Sequence, residues 1–366
     1  MNSKIFEKAK KLNLDIVRGS YTDDECIFLL KDVTDKVNTI TIEEMENMIR
    51  QGINYSETLT EEYFPKEEYN KIFLDILEDT ALDMATYIAK MGEAIYKEKG
   101  DDTVIVSLAR AGTPFGVLVK DYIAFKYGVE VPHYSVSIIR DKGIDENAII
   151  YILAKHPRAK IQFIDGWTGK GSITFELQKA MKKFEEDYGI KIDDSLAVLA
   201  DPARIARICG TREDVNIANC CLNSTVSGLI SRTYHSSDII GENDFHGARK
   251  YTHLESVDFS RLLLDKVRKE FINVGQVEAV YYDCEDYGSK IIEQIATEFD
   301  VKTRNKIKLS IGESSRVLIR RDPRCLLVKN FDNPQIKHLL AMAKDRGTKV
   351  IPYDKTDYEC IAIIKE

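Results

Sequence analysis

No apolar run in this sequence approaches the ~18 residues that a membrane-spanning helix needs, so no membrane segment is expected. The opening MNSKIFEKAKKL is charged and lacks the apolar centre of a secretory signal. The seven Cys are scattered, odd in number and without a CxxC pair. That excludes a cysteine-only zinc site of the usual spacing and points to a reduced, cytoplasmic setting. Overall positive charge is lacking too: a net charge of -8 argues against a general nucleic-acid binder. There is no internal repeat and no low-complexity linker.

What is present is enough for real cores. The chain has 366 residues, 44% of them apolar, with 18 Tyr and 14 Phe. At about 100–200 residues per domain, two or three domains are expected. Charge is unevenly spread. Lys302–Lys329 carries nine Lys/Arg against Glu313 and Asp322, a window of +7 in a remainder of -15. A local anionic partner follows from that pattern.

Residues 1–100 read as mainly helical, with a long stretch over Tyr63–Lys99 interrupted near Pro65. Strands and helices then alternate. TVIVSLA, VPHYSVSII, IQFID and SLAVLAD read as strands, separated by helices over about Phe115–Tyr127, Asn147–Ala154 and up to Tyr188. That alternation predicts a parallel, helix-covered sheet whose ligands bind at the C-terminal strand ends. RAG, RDKG, DGWTGKG and DPAR all fall there. A helix over Phe259–Phe271 and a βα unit from VEAVYYD (Val277–Asp283) follow. The divisions expected are a helical region 1–100, a core 101–255, a connecting segment 256–300 and a C-terminal domain 301–366.

IQFIDGWTGKGSIT (Ile161–Thr174) is the most informative stretch. An apolar strand ends at Asp165 and passes through Gly166, Trp167, Thr168, Gly169, Lys170, Gly171 and Ser172 into a helix. Glycine lets backbone approach a phosphate, and a helix N-terminus offers free N–H groups. The loop matches neither GxxxxGK[ST] nor GxGxxG. An ordinary tight turn, with Asp165 as a helix cap, is the bland alternative.

Strand, acid, short Gly/Thr loop and helix together resemble the type I phosphoribosyltransferases. The resemblance implies that Arg110, Ala111 and Gly112 face the pyrophosphate of phosphoribosyl pyrophosphate, and that Arg140 and Lys142 lie on a flexible catalytic loop. It makes Asp165 the ribose-holding, catalytic acid, with Mg²⁺ arriving with the substrate. The acceptor, a base, nucleotide or RNA, is left open. GSYTDDECIFLLKDV, GINYSETLTEEYFP and CCLNSTVSGLISRTY resemble one branch in particular. It comprises the stress-response enzymes of tellurium-resistance clusters, also labelled the StiP cysteine-protease family. That branch carries a C-terminal RNA-binding module of Pelota type.

Ile311–Tyr353 resembles this module, a small α/β/α sandwich. The resemblance places Gly312, Glu313, Ser315 and Arg316 on an RNA-reading helix. Lys306, Lys308, Arg316, Arg320 and Arg321 are then the candidates for phosphate contact. Two alternatives stand beside the transferase. One is an RNA-binding ligand sensor without catalysis, favoured because Gly166 stands where the family has a second acid. The other is a cysteine hydrolase built on Cys220 or Cys221, with His235 or His246 as base.

Overall fold

The computed structural model describes residues 3–365. Its larger part is built on a six-stranded sheet. The strands are β1 (Ile27–Phe28), β2 (Thr103–Leu108), β3 (His133–Val136), β4 (Lys160–Trp167), β5 (Leu196–Ala200) and β6 (Ile208–Thr211). They lie in the order β1-β3-β2-β4-β5-β6, and every pairing is parallel. Strands covered on both faces must be apolar on both, and β2 and β5 are buried at every position.

Five helices do the covering: α1 (Glu67–Lys99), α2 (Thr113–Tyr127), α3 (Glu146–Lys155), α4 (Ser172–Tyr188) and α5 (Ser260–Glu270). On one face Phe73, Ile88, Phe115, Leu118 and Leu264 pack with Ile105, Ile164 and Leu199. On the other, Ile149, Leu177 and Phe184 pack with Val106, Phe163 and Val198. Neighbouring strand residues thus serve opposite layers, as the pleat requires.

The C-terminal domain comprises α6 (Tyr287–Glu298), β7 (Ile307–Leu309), α7 (Ile311–Arg320), β8 (Pro323–Val328), α8 (Lys337–Asp345), β9 (Lys349–Pro352) and β10 (Cys360–Ile364). The order is β7-β10-β8-β9, with β10 antiparallel to both neighbours and β8 parallel to β9. Helix α6 fills one face through Ile291 and Ile295, and α7 and α8 fill the other through Ile311, Leu318 and Leu339. The expected mixed α/β chain with a small C-terminal domain is what forms.

Several expectations shift. The first hundred residues are less helical than expected: between Ala9 and Glu67 the one α-helix is Ile42–Arg50, and Ile27–Phe28 becomes the sheet edge. Pro65 precedes α1 and does not interrupt it, consistent with a residue that lacks a donor and ends rather than continues helices. VPHYSVSII splits into β3 and one arm of a hairpin, Ile138–Ile139 with Gly143–Ile144. Val277–Asp283 forms no strand. It crosses the core as an extended strap, held by Tyr281 Oη on the Ala94 carbonyl and by Arg207 and Arg212 stacked on Tyr281 and Tyr282. The C-terminal core begins at α6, earlier than residue 301, because Ile291 and Ile295 need the apolar face of its sheet.

Candidate functional site

Strand β4 runs on through Asp165 and Gly166 to Trp167 before the chain turns into α4. Gly171 caps that helix in the left-handed region, at φ 79°, where a Cβ would also meet Ile205 at 2.7 Å. No side chain caps α4, so its first N–H groups face outward. Asp165 is therefore not its cap. Its carboxylate takes the N–H of Gly166 at 2.8 Å, and burial pushes it up to about 6.

The loop forms one wall of a cleft of about 190 Å³, and the C-terminal domain forms the other. Arg140, Lys170, Lys308 and Arg316 line it, opposed by Asp165 and Glu313. Arg316 lies over the Trp167 ring at 4.5 Å and reaches Glu313 at 3.3 Å. Burial, with neighbouring cations, pushes the Lys170 and Lys308 amines down. A group of cations disfavouring one another's charge suits an anionic occupant. The Thr174 hydroxyl, 2% exposed on the same wall, has no hydrogen-bond partner.

The residues expected here are only partly brought together. Thr168, Gly169, Lys170, Gly171 and Ser172 line the cleft, as do Ala111 and Arg140. Arg110 does not. It is tied to Glu62 at 3.0 Å and to the Ile230 carbonyl at 2.9 Å, while Glu62 also takes the backbone and hydroxyl of Ser224. Gly112 packs under β4, where a Cβ would meet the Ile164 carbonyl at 2.4 Å. Lys142 points away from Arg140 across the hairpin, to Glu57 at 3.2 Å and the His235 carbonyl at 3.3 Å. Of the RNA-reading set, Lys308, Glu313 and Arg316 face the cleft and Gly312 and Ser315 are buried. Arg321 pairs with Glu46 at 3.0 Å, Arg320 is exposed, and Lys306 reaches the Lys365 carbonyl. Among the described residues no three His, Cys, Asp or Glu side chains group as a metal site.

Both neighbouring thiols are buried. Cys220 lies under α7 at Gly312, where a Cβ would stand 2.7 Å from its Sγ and 3.3 Å from Trp167. Burial raises the Cys220 thiol strongly, with Arg316 pulling the other way, and raises Cys221 to about 12. His235 and His246 are not near them as expected. Their rings stack edge-on 4.6 Å apart beside the hairpin, where His246 Nδ1 bonds Ser137.

A further imidazole, His338 of the other domain, reaches α7, the helix that covers Cys220. Its Nε2 meets Ser315 Oγ at 3.0 Å and its Nδ1 meets the Asn216 amide at 3.5 Å. Burial lowers it to about 4, which keeps the ring neutral. Asp214 was also missed. Its carboxylate accepts the N–H of Ile311 at 2.9 Å, Glu359 at 3.0 Å and Cys360 at 3.4 Å, pinning the C-terminal domain to the core. Burial pushes it up to about 7. The only signal in the sequence was an acid just beyond an apolar strand, which occurs at many turns.

Comparison with known proteins bears on these contacts. The profile of the PELOTA RNA binding domain matches residues 286–366, which agrees with the observed start of the C-terminal core. A solved hypothetical protein from Neisseria gonorrhoeae with bound ppGpp aligns with 38% of this chain and 70% of its own. Its identity is 10% and its TM-score 0.20, too slight to inform the site. "Cysteine protease StiP" of Acinetobacter baylyi is 31% identical over 357 residues, 92% of each chain. The profile described as tellurite-like stress resistance cysteine protease StiP matches residues 19–268. These findings correct the phosphoribosyltransferase expectation, and with it the assignment of the enzyme as a transferase acting on phosphoribosyl pyrophosphate. With a profile over most of its length and a full-length relative above 30% identity, the chain belongs to the StiP cysteine protease family.

Proposed function

We propose that the protein is a cysteine hydrolase with Cys220 as nucleophile and His338 as general base. One observation carries the choice. Gly312 and Ser315 lie one turn apart on the same face of α7, the first against Cys220 and the second against His338. The thiol and the imidazole thus flank one helix. Asn216 orients the ring, and its Oδ1 is buried with no partner. Turning that amide over would let Oδ1 accept the Nδ1 proton and leave Nε2 as acceptor.

Nε2 takes the Cys220 proton and the thiolate adds to a substrate carbonyl. The amine leaves with the imidazolium proton, and a thioester remains. Water, deprotonated by the same imidazole, cleaves the thioester and returns the thiol. Arg316 stabilises the thiolate. The cleft cations Arg140, Lys170 and Lys308 hold an anionic group of the substrate, and the C-terminal domain supplies RNA contact.

The test is hydrolysis of unfolded protein substrates, with site-resolved alkylation. Cys220→Ala is expected to abolish turnover, His338→Gln to lower it by roughly 10²-fold or more, the scale of general-base loss, and Cys221→Ala to leave it within a few-fold. Full activity in Cys220→Ala refutes the assignment.

A further inference from the structure

We propose that the core and RNA compete for one face of the C-terminal domain, so that docking masks the RNA site. The proposal rests on that domain's RNA-binding role and is independent of the hydrolase chemistry. The face turned to the core is the α7 face. At its N-terminus the Asp214 carboxylate takes the N–H of Ile311, together with those of Glu359 and Cys360. Converging backbone donors at a helix N-terminus are what a phosphate is held by. One turn on, the Arg316 guanidinium stacks on Trp167 at 4.5 Å, the way a guanidinium stacks on an unpaired base. Just past the far end, Arg321 pairs with Glu46 at 3.0 Å.

The core therefore sets two carboxylates and an aromatic ring where RNA would set phosphates and a base. Glu46, Trp167 and Asp214 are far apart in sequence and come from different elements, yet all converge on α7 and the residue after it. Charge agrees: the basic window is +7 and the rest of the chain -15. Gly312 is buried and faces Cys220 and Trp167 of the core, so RNA cannot reach it until the docking is undone.

The experiment uses the full chain and a fluorescent stem–loop RNA, with anisotropy read at two salt concentrations. Glu46→Lys, on an exposed helix, and Trp167→Ala are core-side changes that leave the C-terminal domain's own residues intact. Together they are expected to tighten RNA binding by about tenfold, because apparent affinity scales with the undocked fraction. Arg316→Glu with Arg321→Glu is expected to weaken binding and to flatten the salt dependence by up to about two units. In the parent, RNA is expected to speed alkylation of Cys220, followed by mass spectrometry because Cys284 is exposed. If the arginine reversals abolish binding while the core-side changes leave it unaltered and Cys220 stays protected, the domain binds RNA and the competition is refuted. If neither set alters binding, or no variant binds, the RNA role of this face falls and the competition with it.

Discussion

Asp165 and Asp214 make an instructive pair. Each is an acid at the C-terminal side of the parallel sheet, and burial pushes the first to about 6 and the second to about 7. Their surroundings differ. Asp165 accepts one neighbouring N–H and opens onto a cation-lined cleft. Asp214 accepts three N–H groups from another domain and faces no solvent path of note, being 6% exposed. An acid with spare acceptor capacity beside a cavity is available to a ligand. An acid whose lone pairs are already taken is a structural pin, whatever its titration.

The sharpest way to break the comparison is to remove each carboxylate. Asp214→Ala strands three buried N–H groups at about 1–3 kcal/mol each, a total of roughly 3–9 kcal/mol. The loss is expected in urea denaturation, with the C-terminal domain released first in hydrogen exchange. A change below 1 kcal/mol, the scale of a neutral surface substitution at about 0.5 kcal/mol, would show that the pin carries no load.

Gly312→Ala probes the same junction from the other side. Its Cβ would stand 2.7 Å from Cys220 Sγ. Overpacking of that kind costs about 1–3 kcal/mol. Adding Cys220→Ala should recover most of it, and the coupling in that cycle is the measurement. Additive losses would place the clash elsewhere.

The smallest effect is the pH dependence. Both acids have folded values above their unfolded ones, so the native state binds more protons. The stability they contribute is complete below about pH 4 and is lost as pH rises through about 6 for Asp165 and about 7 for Asp214. Acidifying from pH 8 to pH 5 should therefore favour the folded chain. Asp165→Asn mimics the neutral acid, so it should be at least as stable as the parent at pH 8 and show a shallower rise. The difference should stay below about 1.4 kcal/mol per pH unit, the limit for one proton. An unchanged slope would mean that Asp165 is solvated like a surface acid.

The sheet was legible because buried parallel strands leave apolar runs, and TVIVSLA, IQFID and SLAVLAD became β2, β4 and β5. The loop was legible because Gly169, Lys170 and Gly171 interrupt that pattern. Val277–Asp283 misled for a physical reason: alternating Val, Ala and Tyr can lie along a surface as readily as pair in a sheet. His338, Asn216 and Asp214 could not be read at all. Their contacts across the domain boundary join residues 97 to 146 positions apart, and periodicity carries no information about docking. The basic window was visible as charge, but not the fact that its helix faces inward.

The strap over Val277–Asp283 has a consequence for any partner. It is the covalent link between the core and α6, so a C-terminal domain that lifts off stays close to where it was. Redocking is then intramolecular, at an effective concentration on the order of millimolar for a short tether. An RNA in solution must outcompete a rival held at that level, whereas a longer strap would dilute the rival without altering a single contact. The length of this segment, and not only the residues at the interface, sets how much RNA is needed to open the chain.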